Sequence, residues 1–335
     1  MKLPPFILLS SRYRILKKRL HPLTKEFGLT LYVLRKSLLA VIGASIVAIF
    51  IFIAIFGHLI APYEPNEIDI VSRFSTPTGA HPLGTDKLGR DVLSRILCGA
   101  RYSIRAGLLV LAIAVPTGII LGGIAGLFGG WIDEVIMRVT DVFLAFPSLI
   151  LAMSFSAALG PGLFNAMLAL SIVWWPLYTR LVRGQALSIR ESLYVEAARS
   201  KGASRWNLIF RHILPNCLSP ILVTFTLDMG WIITAAAALS FLGFGAQPPL
   251  SEWGRMVSDG RIFLFQAWWV SIFPGCAIAL TVLGFNLLGD GIRGCRISVI
   301  SQDPTSPLNP LFKIGYQVSE PMIWLLLPKC AIGSP

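Results

Sequence analysis

The amino-acid sequence predicts an all-α integral membrane protein with six transmembrane helices. Three observations support this: 55% of the 335 residues are hydrophobic, only 14% are charged, and several long apolar runs are present. A soluble domain typically carries about 25% charged residues. Crossing the hydrocarbon core as a helix takes about 20 mostly apolar residues, so each run of that length predicts a span.

The first apolar run extends from Ser37 to Ile60 and has no ionisable residue except His58 near its end. It follows a basic leader, residues 1–36, and is much longer than the apolar core of about 7–15 residues in a cleaved secretory signal. We therefore predict a retained anchor. The five further spans are predicted in these ranges: Ser103 to Leu127, Val135 to Leu159, Leu163 to Leu181, Cys217 to Phe244 and Trp268 to Leu288.

The net charge of +12 would favour nucleic-acid binding in a soluble protein. Here the cations concentrate in the leader and between residues 180 and 215, as the positive-inside rule expects of cytoplasmic segments. With six spans, both termini are predicted to be cytoplasmic, and no nucleic-acid partner is expected. One predicted extracytoplasmic segment breaks the rule because it contains five cations: Arg73, Lys87, Arg90, Arg95 and Arg101.

Residues 61–102 are predicted to form an extracytoplasmic loop that ends in an amphipathic helix. Prolines and glycines between Pro62 and Gly84 are typical of turns. From Asp91 to Arg105 the apolar residues recur at helical spacing, which predicts a helix lying on the membrane surface before the second span.

The predicted spans contain small and acidic residues that suggest close contacts. Gly122, Gly126 and Gly130 lie four residues apart, so one helix face would allow close approach, and packing within the chain is favoured over a subunit interface. Asp141 and Asp228 lie in or beside apolar runs, where a charge must face water or the bundle interior. Both are candidates for lining a translocation path, and for Asp228 a structural hydrogen bond between helices is an equal alternative.

Groups that would support catalysis or cofactor binding are not clustered in the sequence. The five cysteines and four histidines lack metal or disulfide spacing. No Gly-Lys dipeptide occurs, which excludes a phosphate-binding P-loop. We therefore predict no cofactor and no enzymatic activity, and any ATP hydrolysis would belong to another polypeptide.

A polar insertion, residues 184–216, separates the fourth and fifth predicted spans and has the pattern of two short helices. Ser188 and Glu191 have capping-box spacing at the start of the first helix, and Gly202 ends it. The second helix begins at Ser204 and ends before Pro215. Neither helix is long enough to be stable alone. The pair must therefore pack under its own bundle or dock into a partner's groove.

Within this insertion, Glu196-Ala197-Ala198 is followed after three residues by Gly202 and later by His212-Ile213-Leu214-Pro215. The pattern resembles the EAA loop of the membrane subunits of ABC importers, in the form typical of peptide permeases. Further stretches resemble the same family in the same order: His81 to Asp91, Ala145 to Pro147, Leu239 to Gly243 and Asn286 to Gly291.

The resemblance implies the type I ABC importer permease fold, with a core at residues 103–293, in a bacterial inner membrane. It implies a subunit that forms half of a translocation path for peptides and couples it to a separate ATPase. The implied partners are a second homologous permease subunit, two cytoplasmic ABC ATPase subunits, an extracytoplasmic solute-binding protein and the lipid bilayer. The residues implied in ATPase coupling are Glu196, Ala197, Ala198, Gly202, Ile213, Leu214 and Pro215.

The sequence departs from the family pattern in two places. Relatives often carry an acidic residue just before the stretch that begins at Leu239, where this chain has alanines. Residues 294–335 extend past the usual end and are predicted to be a disordered tail. The alternative function is a secondary transporter or channel that needs no ATPase, but the inverted repeats typical of such transporters are not evident in the sequence.

Overall fold

The computed structural model describes residues 37–190, 196, 200, 202 and 214–301, and these ranges contain α-helices, two short 3₁₀ turns and no β-strand. Predicted features in residues 1–36 and 302–335 lie outside the described residues. The helices are α1 (Leu38–Ile60), α2 (Val92–Phe128), α3 (Gly130–Ala145), α4 (Ser148–Leu159), α5 (Leu163–Arg190), α6 (Leu214–Phe241), α7 (Trp253–Gly260) and α8 (Trp269–Ser301).

The long helices cross the bundle in alternating directions. A side chain on Gly291 of α8 would meet Ala40 near the start of α1, and one on Gly57 near the end of α1 would meet Leu97 near the start of α2. Helix α1 is therefore antiparallel to both neighbours. We call the end where α5 finishes and α6 begins the loop end, and the opposite end, where α1 finishes and α2 begins, the far end.

Among the residues that the structure describes, four helices are long and apolar enough to cross a membrane: α1, α2, and the segments Pro220–Phe241 of α6 and Trp269–Gly294 of α8. The predicted third span is not one straight helix, because α3 and α4 meet at an angle of 93° and count as a fifth span only if taken together. Phe146 is extended between them, at φ −94° and ψ 145°, and Pro147 follows. A residue before proline is disfavoured in the helical region, so the helix breaks there.

The predicted fourth span is the helix α5, which has 28 residues and is about 42 Å long. Helix α5 is less apolar than the four candidate spans named above, because it includes Asn165, the Trp174-Trp175 pair and Arg180. Its buried residues instead pack against other helices of the bundle.

The predicted surface helix and the second span are one continuous helix, which corrects the expected boundary near residue 102. Helix α2 runs for 37 residues from Val92, about 55 Å. Asp91 caps its start by accepting a hydrogen bond from the backbone N–H of Ser94 at 2.7 Å. No proline separates Val92 from Ser103, so the chain has no local reason to leave the helix there.

Glycines of α2 allow close packing on α5, in a register shifted by one turn from the predicted one. A Cβ atom on Gly122 would lie 2.5 Å from the carbonyl oxygen of Thr179, and one on Gly126 would lie 2.6 Å from the Cβ of Ala186. Gly118 faces Tyr178 in the same way, whereas Gly130 starts α3 with open space around it. The packing is within one chain, as predicted, and it makes α2 and α5 parallel.

Each helix of this parallel pair contains one proline, Pro116 in α2 and Pro176 in α5. Both lie at one level of the bundle, because Gly118 packs on Tyr178 and the carbonyl group of Trp175. Proline has no amide N–H, so each helix lacks one intrahelical hydrogen bond at this level.

The loop between α1 and α2 is a folded module in which the unexpected cations are largely paired. The Asp86 carboxylate accepts hydrogen bonds from Arg90, with Nε and Nη2 both at 2.7 Å, and lies 3.8 Å from Nε of Arg95. Lys87 lies 3.5 Å from the carboxylate of Asp259 in α7. Three of the five cations that broke the positive-inside rule are therefore paired with carboxylates, two of them with Asp86 of the module and one with Asp259 of α7.

The same module contains a glycine that its backbone requires. Gly89 has φ +74°, and a Cβ atom there would collide with the carbonyl group of Asp69. At the other end of the chain, α8 continues to Ser301, so the first residues of the predicted disordered tail are helical.

Candidate functional site

The insertion at the loop end is described at three positions before α6. Glu196 and Ser200 are helical and exposed, and the Ser200 hydroxyl donates a hydrogen bond to the carbonyl oxygen of Glu196 at 3.0 Å. Gly202 lies in an exposed turn with φ +80°, as its predicted role as a turn requires. The exposed carboxylate and the turn glycine are thus six residues apart in the sequence.

Other residues predicted for coupling are only partly covered. Ala197, Ala198 and Ile213 lie outside the described residues. Leu214 and Pro215 form the start of α6, and for these two residues only the backbone is described.

Two ion pairs fix α5, the helix that leads into the insertion, to α3. Arg183 donates hydrogen bonds to both carboxylate oxygens of Asp133, from Nε to Oδ1 at 2.5 Å and from Nη2 to Oδ2 at 2.7 Å. Arg180 binds Asp141 through Nη2 at 2.6 Å, and both of these side chains are 56% exposed. A bidentate guanidinium–carboxylate pair has a defined geometry, so the Arg183–Asp133 pair restricts how α3 can move relative to α5.

Helix α5 is therefore held on two sides near the loop end. The glycines of α2 bring its backbone close on one side, and Arg183 holds α3 on the other. A displacement of the insertion along α5 would carry both neighbouring helices with it, because packed interfaces shift as units and do not deform continuously.

Asp228 of α6 lies inside the bundle and is only 7% exposed. The phenol of Tyr178 and the indole of Trp174, both on α5, face its carboxyl group. Three of these polar atoms are buried and form no hydrogen bond of normal geometry: one Asp228 oxygen, the phenol oxygen and the indole nitrogen. The polar partners were missed from the sequence, although a tyrosine or tryptophan inside an apolar helix usually finds a polar partner when buried.

Asp141 has a different environment from Asp228. Of the residues in α3 and α4 only Thr140, Ala152 and Ser156 are buried. The two candidate path residues are therefore not brought together: Asp141 lies on an open face, and Asp228 lies between helices.

A second buried carboxylate, Glu252, was not anticipated from the sequence. It caps α7 by accepting hydrogen bonds from the backbone N–H groups of Gly254 at 3.0 Å and Arg255 at 2.9 Å. The Ser103 hydroxyl of α2 donates to it at 3.3 Å. Complete burial raises the pKa of Glu252, and the hydrogen bonds to the carboxylate oppose that rise. The role is structural, since the residue joins α7 to α2 at the far end.

No metal site accompanies these groups in the part of the chain that the structure covers, where no three His, Cys, Asp or Glu side chains are grouped to hold an ion.

Comparison with protein families decides the assignment. The model of the binding-protein-dependent transport system inner membrane component matches residues 118–294, more than half of the chain. This chain belongs to that permease family. The model of the N-terminal transmembrane domain of oligopeptide transport permease C matches residues 27–77, which include α1.

Curated relatives of this permease match it over most of their own length. A probable D,D-dipeptide transport system permease protein of Escherichia coli K12 is 51% identical over 78% of this chain and 88% of that protein. A dipeptide transport system permease protein of Alkalihalophilus pseudofirmus is 47% identical over 78% and 86%. A glutathione transport system permease protein of Pectobacterium atrosepticum is 46% identical over 76% and 85%.

Among solved structures, an inward-facing methionine ABC transporter has a TM-score of 0.46 and 19% identity, covering 60% of this chain and 93% of that chain.

Family membership confirms three predictions made from the sequence. The protein is an all-α multi-pass inner-membrane permease of the type I ABC importer class. It is the membrane subunit of a binding-protein-dependent transporter. It is a transport subunit and not an enzyme, because members of this family move solutes while ATP is hydrolysed by a separate subunit.

Proposed function

We propose that this permease forms half of a translocation path for peptides and is driven by cytoplasmic ABC ATPases that contact residues 184–216. The observation that carries the coupling is the double attachment of α5, through the close contact between Gly122 and Thr179 and through the Arg183–Asp133 pair. Peptides are the proposed solutes because relatives at 46–51% identity carry dipeptide and glutathione names.

The coupling step is a rigid-body switch. Closure of the ATPases would move the insertion, and α5 would pass this movement to α2 and α3. Glu196 is exposed and can make a charged contact to the ATPase, while Gly202 would supply the turn between the two short helices predicted from the sequence. Ala197, Ala198, Ile213, Leu214 and Pro215 are assigned to the same contact by the family pattern.

The other partners are assigned by the ends and faces of the bundle. A second homologous permease would cover the open face of α3 and α4, and a solute-binding protein would approach the far end. In this arrangement the loop end, where α1 begins and α8 finishes, is cytoplasmic, and so are both termini. The Asp141–Arg180 pair on the open face is proposed to line the path, and Asp228 to serve as a polar contact between α5 and α6.

Charge reversal and side-chain addition in the insertion test the coupling. Glu196→Lys and Gly202→Asp should each abolish ATP-driven uptake of a dipeptide and reduce co-purification of the ATPase, while the permease remains in the membrane. Ser200→Ala is the matched control, because it removes no charge and, among the described residues, the Ser200 hydroxyl is bonded to the backbone carbonyl oxygen of Glu196 in its own helix. Full uptake by both coupling variants would exclude the proposed contact.

A photo-crosslinking amino acid at Ser200 tests the partner directly. It should capture an ATP-hydrolysing subunit in native membranes, and capture should be lost when Glu196→Lys is added. Failure to capture such a subunit in membranes that show uptake would argue against docking through this helix.

A further inference from the structure

A cleft of about 620 Å³ opens at the far end, between the end of α1, the first half of α2 and the loops that follow α1 and precede α7. It lies at the opposite end of the bundle from the coupling insertion. The polar side chains that line it include His58, Glu64, Glu67, Arg101, Tyr102 and Ser251.

The walls of the cleft are held in place by backbone contacts. Helix α1 approaches α2 so closely at Gly57 that a side chain there would meet the carbonyl group of Leu97. The loop wall is fixed to α2 because Arg95 Nη1 donates to the carbonyl oxygen of Pro65 at 2.9 Å, and the backbone N–H of Tyr63 donates to the Ser94 hydroxyl at 3.1 Å. The cleft is therefore largely preformed, as small-molecule sites usually are.

Arg101 lines this cleft with a half-buried side chain. Its guanidinium carbon lies 5.7 Å from the centre of the Tyr102 ring, which also lines the cleft. A guanidinium group binds carboxylates well because it can donate two parallel hydrogen bonds. Arg101 can therefore bind a carboxylate that enters the cleft.

Two carboxylates line the same cleft without being paired to Arg101. Glu64 and Glu67 are exposed, and none of the ion pairs formed by the described residues includes either glutamate or Arg101. The cleft therefore offers a cation and two anions that do not satisfy one another. A ligand that carries a carboxylate at one end and an ammonium group at the other would match both.

We propose that this cleft binds a small zwitterion, an amino acid or a dipeptide, with its carboxylate on Arg101 and its ammonium group beside Glu64 and Glu67. The volume lies within the range of about 300–1,000 Å³ found for small-molecule sites. The site is separate from the coupling insertion and requires neither ATP nor the ATPase, so it stands or falls independently of the proposed coupling.

A ligand series on the unmodified protein tests the assignment without any mutation. Equilibrium dialysis would measure binding of radiolabelled Ala-Ala to the full-length chain in lipid nanodiscs, without nucleotide or binding protein. Unlabelled Ala-Ala should displace the label. The C-terminal amide, which lacks the carboxylate, and N-acetyl-Ala-Ala, which lacks the ammonium group, should each compete about tenfold to a hundredfold less well, as expected for loss of a charged hydrogen bond.

A variant and a matched control locate the site. Arg101→Gln should weaken binding of Ala-Ala by a similar factor, whereas Arg105→Gln should leave it unchanged, because Arg105 is exposed on the same helix and does not line the cleft. The Glu64→Gln, Glu67→Gln double variant should weaken Ala-Ala but not N-acetyl-Ala-Ala. Absence of binding to the unmodified protein, equal competition by the amide, or undiminished binding by a folded Arg101→Gln would each overturn the proposal.

Discussion

Gly122 of α2 packs directly on the backbone of α5 at Thr179, so closely that a methyl group in place of its hydrogen would lie 2.5 Å from the Thr179 carbonyl oxygen. Gly118 and Gly126 extend this contact on both sides. The contact determines how far apart two parallel helices lie, and one of them leads into the coupling insertion.

Adding one methyl group at this contact should separate the helices. Gly122→Ala should lower the free energy of unfolding by about 1–3 kcal/mol, the usual cost of overpacking, because the nearest atom belongs to backbone that cannot rotate away. Gly123→Ala is the matched control, since a Cβ atom on Gly123, the next residue, would have no neighbouring atom within 4 Å. Thermal unfolding in detergent would compare the two variants, and equal midpoints would show that α2 and α5 are not held at this distance.

The Arg183–Asp133 pair should contribute measurable coupling between α5 and α3. Its side chains are 31% and 17% exposed and the pair is bidentate, so a double-mutant cycle with Arg183→Gln and Asp133→Asn should give about 1–3 kcal/mol. The exposed Arg138–Glu134 pair, at 3.5 Å, should give about 0–1 kcal/mol in a parallel cycle. A coupling energy near zero for the inner pair would remove it from the proposed transmission route.

Removal of the Asp86 carboxylate should destabilise the folded loop between α1 and α2 at the far end. Asp86→Ala would leave the buried guanidinium groups of Arg90 and Arg95 without their carboxylate, at a cost of about 3–5 kcal/mol. Lys87→Ala, which removes a half-exposed and longer ion pair, should cost much less. Limited proteolysis from the extracytoplasmic side would report the change as faster cleavage between α1 and α2; unchanged cleavage in Asp86→Ala would contradict the role of this network.

Stability should depend on pH through Glu252. Its pKa in the folded protein is raised above the ordinary value of 4.5, so the folded state retains a proton that the unfolded chain releases. The contribution of this residue to the free energy of unfolding is therefore largest below pH 4.5 and falls as the pH rises through the raised pKa.

Glu252→Gln cannot ionise and should lack this pH dependence. The difference in unfolding temperature between the variant and the unmodified protein should change from pH 4.5 upward in detergent. Glu64→Gln is a control at an exposed carboxylate and should keep the original pH profile. A difference that stays constant with pH would show that Glu252 ionises normally in the folded protein.

The sequence predicted most of the helices because each crossing needs its own apolar run, and such runs are local. The helical start at Leu38 and the close packing of Gly122 and Gly126 were both anticipated. The break at Phe146 was readable in principle from Pro147, but the apolar residues on both sides concealed it. The continuity of α2 was missed because the polar residues before Ser103 suggested a surface position.

The remaining features depend on contacts between distant segments. Asp86 lies next to its partner Arg90 in sequence, but the burial of both requires α7 and α8 to close over the loop. Tyr178 faces Asp228 across fifty residues of chain, and Glu252 meets Ser103 across a still longer stretch. No local pattern encodes such pairings, so they were found only in the folded chain.

Pro116 and Pro176 weaken two adjacent helices in one plane of the bundle. A helix bends most easily where a backbone hydrogen bond is missing, and two joined helices that lack one at the same depth can bend together without sliding past each other. The bundle therefore has one level at which α2 and α5 can bend together. In the proposed coupling, the halves of α2 and α5 nearer the loop end would move with the insertion, while their other halves would stay with the folded loop between α1 and α2.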